Sequence, residues 1–337
     1  MKATRFNTGW TCRHLGSSAP GTPVTLPHDA MLAEERSQTS AGGTNTGWFA
    51  GYDYLYEKHF TPDAAQAAQC AVLEFEGVYH NAEVHLNGEK IASCPYGYSD
   101  FYADLTGKLL PGRDNVLEVI AHNADQPNSR WYSGAGIYRP VTLWTAPARH
   151  ILPDGVQVRT LSIDPAEVEV TVQTTASGAV AVAILDGEQT VATAQAESNG
   201  KAVLRVQIPN AKLWSPDSPA LYRCRAMFGD DCAETTFGVR TLSWGDDGFL
   251  LNGKRVILLG ACVHHDHGVL GACCYPEAEE RKVRLLQKVG YNAVRCAHNP
   301  CSKAFLDACD RLGMLVMDEY ADMWYIHKTQ YLSLIHI

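Results

Sequence analysis

Three groups of polar side chains stand at the ends of three short apolar runs. His264, His265 and Asp266 follow VILLG (256–260); Arg295, His298 and Asn299 fall at the end of NAVRCAH (292–298) and just beyond it; Asp318 and Glu319 close MLVMDE (314–319). A guanidinium, imidazoles and an amide so close together can hold several hydroxyls of one polar ligand. Buried without partners, each would cost about 1–3 kcal/mol, so binding is favoured over packing for Arg295, His298 and Asn299. Asp318 and Glu319 are neighbours in a strand and point to opposite faces, so they make no ready acid–base pair. His265 and His267 form an H-x-H that a metal-dependent barrel could use, but such a site needs ligands from later strands, and a hydrogen-bonding turn fits these residues better. A fourth stretch, NSRWYSGAGIYRP (128–140), sets Arg130, Trp131 and Tyr132 beside small residues that let the backbone turn tightly. Indole and phenol faces can stack on the C–H face of a sugar, and arginine offers forked donors to hydroxyls. Packing of Trp131 and Ile137 on a sheet core explains the same residues equally well.

The elements that must position the first three groups read as β/α units. The helix expected over 277–289 has acidic residues in its first turn, the i to i+4 pair Glu280 and Arg284, and Gly290 as its stop. The next is expected to start after Ser302 as N-cap, bury Phe305, Leu306 and Cys309, and stop at Gly313. Apolar strands separated by single helices imply right-handed crossovers and a parallel sheet, with polar groups collecting at the strand C-termini. ACVHHDHG after the first strand has no glycine-rich phosphate cradle, which removes most support for a dinucleotide fold.

Upstream the rhythm is that of β-structure. From about 6 to 146, alternating runs such as YDYLYEKHF and AEVHLNGEKI lie between turn signals, and Asn87-Gly88 predicts a type I′ hairpin. From about 149 to 240 a second set of strands is expected, separated by turns at Asp186-Gly187, Asn199-Gly200 and Gly229-Asp230. This set has about the length of an immunoglobulin-like sandwich.

The chain has 337 residues, 46% hydrophobic and 19% charged, with a formal charge of −9. That balance argues against nucleic-acid or anionic-membrane partners. No stretch approaches the roughly 20 apolar residues of a spanning helix, and no signal-peptide run opens the sequence, so the default expectation is cytoplasmic. The eleven cysteines contain no C-x-x-C and are read as reduced, mostly buried thiols, with Cys262 and Cys296 as wall residues.

In these residues the sequence resembles glycoside hydrolase family 2, the β-galactosidase and β-glucuronidase group. The blocks that carry the likeness are VTLPHDA (24–30), FEGVYHNAEVHLNG (75–88), SRWYSGAGIYRPV (129–141), LWSPDSPALY (213–222), FGVRTL (237–242), LNGKRVILLGACVHHDHG (251–268), NAVRCAHNP (292–300) and CDRLGMLVMDE (309–319). The resemblance implies a multidomain chain: a jelly-roll sugar-binding domain (1–147), an immunoglobulin-like β-sandwich (148–240) and the first three β/α units of a TIM barrel (241–337). It implies a retaining exo-glycosidase for terminal β-linked sugars, most closely a β-galactosidase, with Arg130, Trp131, His265, Asp266, Arg295, His298, Asn299, Asp322 and Trp324 binding substrate. Retention needs two carboxyl groups about 5–5.5 Å apart. The family supplies them as glutamates on later strands, the acid/base within an Asn-Glu pair that 319–337 does not contain. Both the acid/base and the nucleophile are therefore expected beyond Ile337. No catalytic residue and no metal ligand is assigned within the chain, and by itself it is expected to be inactive. The family leaves room for a divalent or monovalent cation and for homo-oligomers in the complete enzyme. The final YLSLIHI departs from the family pattern and is expected to be translated junction sequence after a truncated frame. The alternatives are a non-catalytic carbohydrate-binding protein and, behind it, a metal-dependent barrel hydrolase.

Overall fold

In the strand Asn115–Ala121 every second side chain is buried, the period-two pattern of a sheet covered on one face. This strand lies inside a six-stranded antiparallel sheet with the spatial order Thr22–Val24, Trp10–His14, Tyr54–Phe60, Asn115–Ala121, Ala82–Leu86, Glu89–Cys94. A second sheet, in the order Lys2–Arg5, Val141–Ala146, Cys70–Phe75, Phe101–Asp104, packs on it. Leu73, Phe75, Val84, Leu105, Leu117, Val119 and Ile137 fill the space between them. Asn87 and Gly88 both take positive φ (52° and 82°) between paired strands, as the hairpin signal requires. This computed structural model describes residues 1–67 and 69–321.

The second sandwich is built from Ile151–Ile163, Ala166–Asp186, Gln189–Gln207, Tyr222–Phe228 and Asp231–Phe237. Buried valines from both halves of the long strand, Val168, Val170 and Val172 with Val180 and Val182, share one core with Tyr222, Cys224 and Phe228. Asn199-Gly200 does not form the expected turn. It lies inside the 19-residue strand Gln189–Gln207, opposite the register shift between Gln173 and Ser177, and Gly200 takes up a φ of 93° there. Pairing along both sides of the bulge outweighs the local turn preference of the dipeptide.

Beyond an antiparallel ribbon formed by Leu242–Gly245, Gly248–Leu251 and Lys254–Arg255, three parallel strands follow: Gly260–Val263, Ala293–Cys296 and Leu315–Asp318. The first of these corrects the expectation of a strand over VILLG. Ile257 and Leu259 instead hang on the side chain of Asn292, whose Nδ2 donates to Ile257 O (3.0 Å) and whose Oδ1 accepts from Leu259 N–H (2.8 Å). The helices span Pro276–Lys288 and Lys303–Leu312; Ser302 caps the second by accepting from Phe305 N–H (3.1 Å), and Gly313 ends it in the left-handed region. No helix among the described residues is long and apolar enough to cross a membrane.

The three units are joined by polar contacts, some of them buried. Arg139, only 3% exposed, donates to Tyr98 O and Glu76 O in the first sandwich and to Pro300 O (2.8 Å) beside the parallel sheet. Lys303 joins Glu74, Asp100 and Asp154, and Trp214 Nε1 donates to Asp310 O (2.8 Å).

No described element covers the opposite face of the parallel sheet. Leu242, Trp244, Leu258 and Met317 line one groove, and Trp244 and Met317 are 78% and 58% exposed. Apolar area of this kind, together with parallel edges that no described strand pairs, favours association. The 337-residue chain is expected to bind a hydrophobic dye and self-associate, whereas a 1–240 piece stays monomeric and dye-negative; equal dye signals from both would contradict this.

Candidate functional site

The site is assembled around Asp29, 2% exposed, near the end of the VTLPHDA block. Its Oδ1 accepts from Met31 N–H (3.1 Å) and Ala135 N–H (3.0 Å), and its Oδ2 from Tyr132 OH (2.7 Å) and Ala272 N–H (2.9 Å). One carboxylate thus ties three segments distant in sequence: its own loop, the 129–141 loop, and the turn after the first parallel strand. Burial pushes its carboxyl up, and the four hydrogen bonds oppose that push. Gly134 (φ 70°) passes so close that a Cβ there would meet Ala272 Cβ and Asp29 Oδ2 at 2.7 Å, so only glycine fits.

Pinned in this way, the loop carries Trp131 to the rim of the parallel sheet. Ser129 Oγ accepts from Trp131 N–H (3.1 Å) and donates to Trp131 O (2.6 Å), fixing the backbone locally. The indole stacks on His264 (centroids 5.5 Å, 24°) and meets His298 edge-on (5.3 Å, 64°), with the Arg130 guanidinium 5.6 Å from the ring centroid. Ile137 packs into the core of the first sandwich, whereas Trp131 joins a separate aromatic group with Tyr79, Tyr98 and Tyr138.

The in-register parallel strands bring Arg295 and Glu319 together at the same rim. Arg295 Nε donates to Glu319 Oε1 (2.6 Å), and Glu319 Oε2 accepts from His298 Nδ1 (3.0 Å). Because that bond puts the proton on Nδ1, the 3.4 Å approach of Arg295 Nη2 to the same nitrogen is a contact and not a second hydrogen bond. In the neutral ring this leaves Nε2 as an acceptor. Burial would raise Glu319, but its Arg295 and His298 partners outweigh that and hold its carboxyl below the usual range. Asp266 lies beside His264, with no hydrogen bond or ion pair among the described residues.

Beneath the rim is a second layer. His265 is enclosed by Tyr98 and Tyr138, and its Nε2–H donates to Ser133 O (3.2 Å). Burial first, then the nearby Arg139 charge, drive its pKa down to about 3, so the ring is neutral and Nδ1 is an acceptor. Nδ1 of His265 and Nδ2 of Asn299, buried and without partners among the described residues, belong to side chains lining an internal cavity of about 20 Å³, the size of about one water. Glu279, on the same cavity, accepts from Ser302 Oγ (2.9 Å) and lies 3.3 Å from His267 Nε2 and 3.5 Å from Lys282 Nζ. The His267 contact has ion-pair distance without hydrogen-bond alignment. Burial would raise Glu279, but the His267, Lys282 and Ser302 contacts take it down to about 2. Lys282 also donates to His264 O (3.0 Å), linking this layer to the rim.

Of the residues expected to bind substrate, the structure brings Arg130, Trp131, Asp266, Arg295 and His298 to one rim. It places His265 and Asn299 below that rim, where His265 is bonded to Ser133 O and Asn299 lines the small cavity. Asp322 and Trp324 lie outside the described residues. So does Ile337, and with it the stretch of chain after which the acid/base and nucleophile are expected; no described carboxylate is assigned either role. The H-x-H pair diverges, His265 toward Ser133 O and His267 toward Glu279, which leaves the metal-barrel reading without its ligand geometry. Sequence reasoning missed Asp29, Tyr98, His264 as the stacking partner of Trp131, and Tyr96, whose hydroxyl donates to Tyr320 O (2.9 Å). The VTLPHDA block and the aromatic run PYGYSDF were the available signals.

Three family models match the chain in order: the glycosyl hydrolase 2 galactose-binding domain-like model over 10–149, glycosyl hydrolases family 2 over 154–240, and the glycosyl hydrolases family 2 TIM barrel domain over 243–330. The chain belongs to glycoside hydrolase family 2. Among family 2 proteins it is similar to beta-galactosidase BoGH2A of Bacteroides ovatus, 38% identical over 96% of this chain and 42% of that protein. A solved family 2 member from Bacteroides cellulosilyticus superposes with a TM-score of 0.90 at 34% identity, covering 98% of this chain and 47% of that one. A Faecalibacterium prausnitzii beta-glucuronidase superposes with a TM-score of 0.79 at 28% identity, covering 95% and 60%. The chain thus spans less than half the length of its curated family 2 relative.

The layer under this family 2 rim has a definite pH signature. Native Glu279 takes its proton near 2 and the unfolded side chain near 4.5, so as pH falls between these values the unfolded state binds more protons and stability is lost. The loss reaches up to about 3 kcal/mol at the acid end and is fully regained above about 4.5. Hydrogen exchange of residues 264–302 across this range is expected to show the drop in wild type and a flat profile in Glu279→Gln; parallel profiles would contradict the assignment.

Proposed function

We propose that this chain forms the sugar-recognising part of a retaining exo-glycosidase that removes terminal β-linked galactose. The observation that carries this reading is the composite rim, where Trp131 of the first sandwich meets His264 and His298 beside the Arg295–Glu319 pair. An aromatic edge next to imidazole, guanidinium and carboxylate groups suits a ligand with one apolar C–H face and several hydroxyls. Trp131 and Arg130 border the sugar on the sandwich side. Arg295, His298 and Asp266 contact hydroxyls from the sheet side, while His265 and Asn299 lie below, His265 bonded to Ser133 O. Asp322 and Trp324 follow the third strand and complete this set by resemblance. Glu319 holds Arg295 and His298 in position and is not the catalytic acid.

The two glutamates of the retaining mechanism belong to barrel strands that follow these three, so the 337-residue chain by itself binds sugar weakly and hydrolyses nothing. Galactose is preferred over glucuronate on the 38% identity to a protein named beta-galactosidase; β-glucuronide cleavage is the second reading, supported by the likeness to a beta-glucuronidase. A non-catalytic sugar-binding protein is the remaining alternative.

Assay of the gene product carrying a complete barrel against chromogenic β-galactoside and β-glucuronide separates these. Turnover of the galactoside is expected, with Arg295→Ala and His298→Ala each lowering kcat/KM by about 10-fold or more. Turnover of the glucuronide alone would replace the substrate assignment, and binding without turnover of either would overturn the enzyme reading.

A further inference from the structure

Cys296 ends the middle parallel strand, in register with Asp318 on its neighbour. In-register parallel neighbours project to the same face, so a thiol and a carboxylate are placed side by side. The turn through His298 and Pro300 then brings Cys301 back, and its N–H donates to Asp318 Oδ1 at 3.1 Å. The Cys296 and Cys301 sulfurs and a carboxylate oxygen of Asp318 all lie within 4.8 Å of one another. Tetrahedral zinc with bonds of about 2.3 Å sets its donors about 3.8 Å apart, so small side-chain rotations would close the set.

We propose that Cys296, Cys301 and Asp318 form a binding site for a thiophilic divalent cation of the zinc type, just below the turn that carries His298 and Asn299. Two soft sulfurs with one carboxylate select such an ion over magnesium or calcium. The neighbouring cations are already committed: Arg295 to Glu319, Lys282 to Glu279 and His264 O, and Lys303 to Glu74 and Asp154. Cys296 is 4% exposed whereas Asp318 is exposed, which gives the ion an entry side and leaves its fourth position to solvent. The other close cluster of possible ligands among the described residues, Glu74, Asp100 and Asp154, is already neutralised by the Lys303 ammonium. Among the described residues none of the three ligand side chains is bonded to a rim side chain, so metal binding is read separately from the glycosidase reading.

Cobalt(II) is the probe, titrated into the reduced 337-residue chain. One equivalent is expected to give thiolate-to-cobalt charge-transfer absorption that zinc abolishes by displacement. Cys301→Ser and Asp318→Asn should each weaken apparent affinity by about 10-fold or more, whereas Cys232→Ser and Cys262→Ser leave it unchanged. Asp318→Asn changes an exposed side chain and guards against a folding artefact in the cysteine variant, circular dichroism confirming the fold of each. No charge-transfer band in the wild type, or an unaltered band in both Cys301→Ser and Asp318→Asn, would overturn the proposal.

Discussion

A single buried carboxylate, Asp29, sets the geometry on which the rest of this chain depends. Its two oxygens accept four hydrogen bonds, from Met31, Ala135, Tyr132 and Ala272, and so join the first sandwich to the parallel sheet at one point. Desolvating a carboxylate is costly unless its lone pairs are satisfied. Here the satisfaction comes from segments that can meet in only one way. The glycines at 134 and 271 are part of the same constraint, because a Cβ at either would run into Asp29. Seen from this junction, the 129–141 loop is less a surface loop than a strap drawn between two domains, with Trp131 at its outer edge.

Two layers with different tasks follow from that arrangement. At the rim, Trp131, His298, Arg295 and Glu319 stay accessible and arrange donors and acceptors around an aromatic edge. Below it, His265 is neutral because burial defeats its charge, while Glu279 is ionised because His267, Lys282 and Ser302 outweigh the same burial. Two groups in one environment therefore end in opposite states of compensation, decided by partners and not by depth. The lower layer holds the turns that present the upper one, through Lys282 to His264 O and Arg139 to Pro300 O.

The sequence was most legible where the physics is local. The period-two burial of Asn115–Ala121, the Asn87-Gly88 hairpin, the Ser302 cap and the Gly313 stop are each determined within a few residues, and each was readable. The clustering of polar residues at strand ends was readable too, because parallel strands place their C-termini together. Local signals failed where distant pairing decided the outcome. Asn199-Gly200 was absorbed into a long strand by its neighbours, and VILLG joins the sheet only at Gly260, with Ile257 and Leu259 bonded to Asn292 before it. The role of Asp29 was missed for the same reason: three of its four partners lie 103, 106 and 243 residues away, and no periodicity records them. The depth of Asn299 and His265 beneath the rim was likewise unreadable, because composition reveals which groups are polar but not which of them are covered.

The central claim is that Asp29 acts on sugar recognition through the placement of Trp131. A double-mutant cycle of Asp29→Asn and Trp131→Ala in the complete enzyme, read as kcat/KM, tests it most directly. The account predicts that Asp29→Asn lowers kcat/KM in the wild-type background and has little further effect once Trp131 is alanine. Fully additive losses would mean that the carboxylate and the indole act independently, and would contradict it.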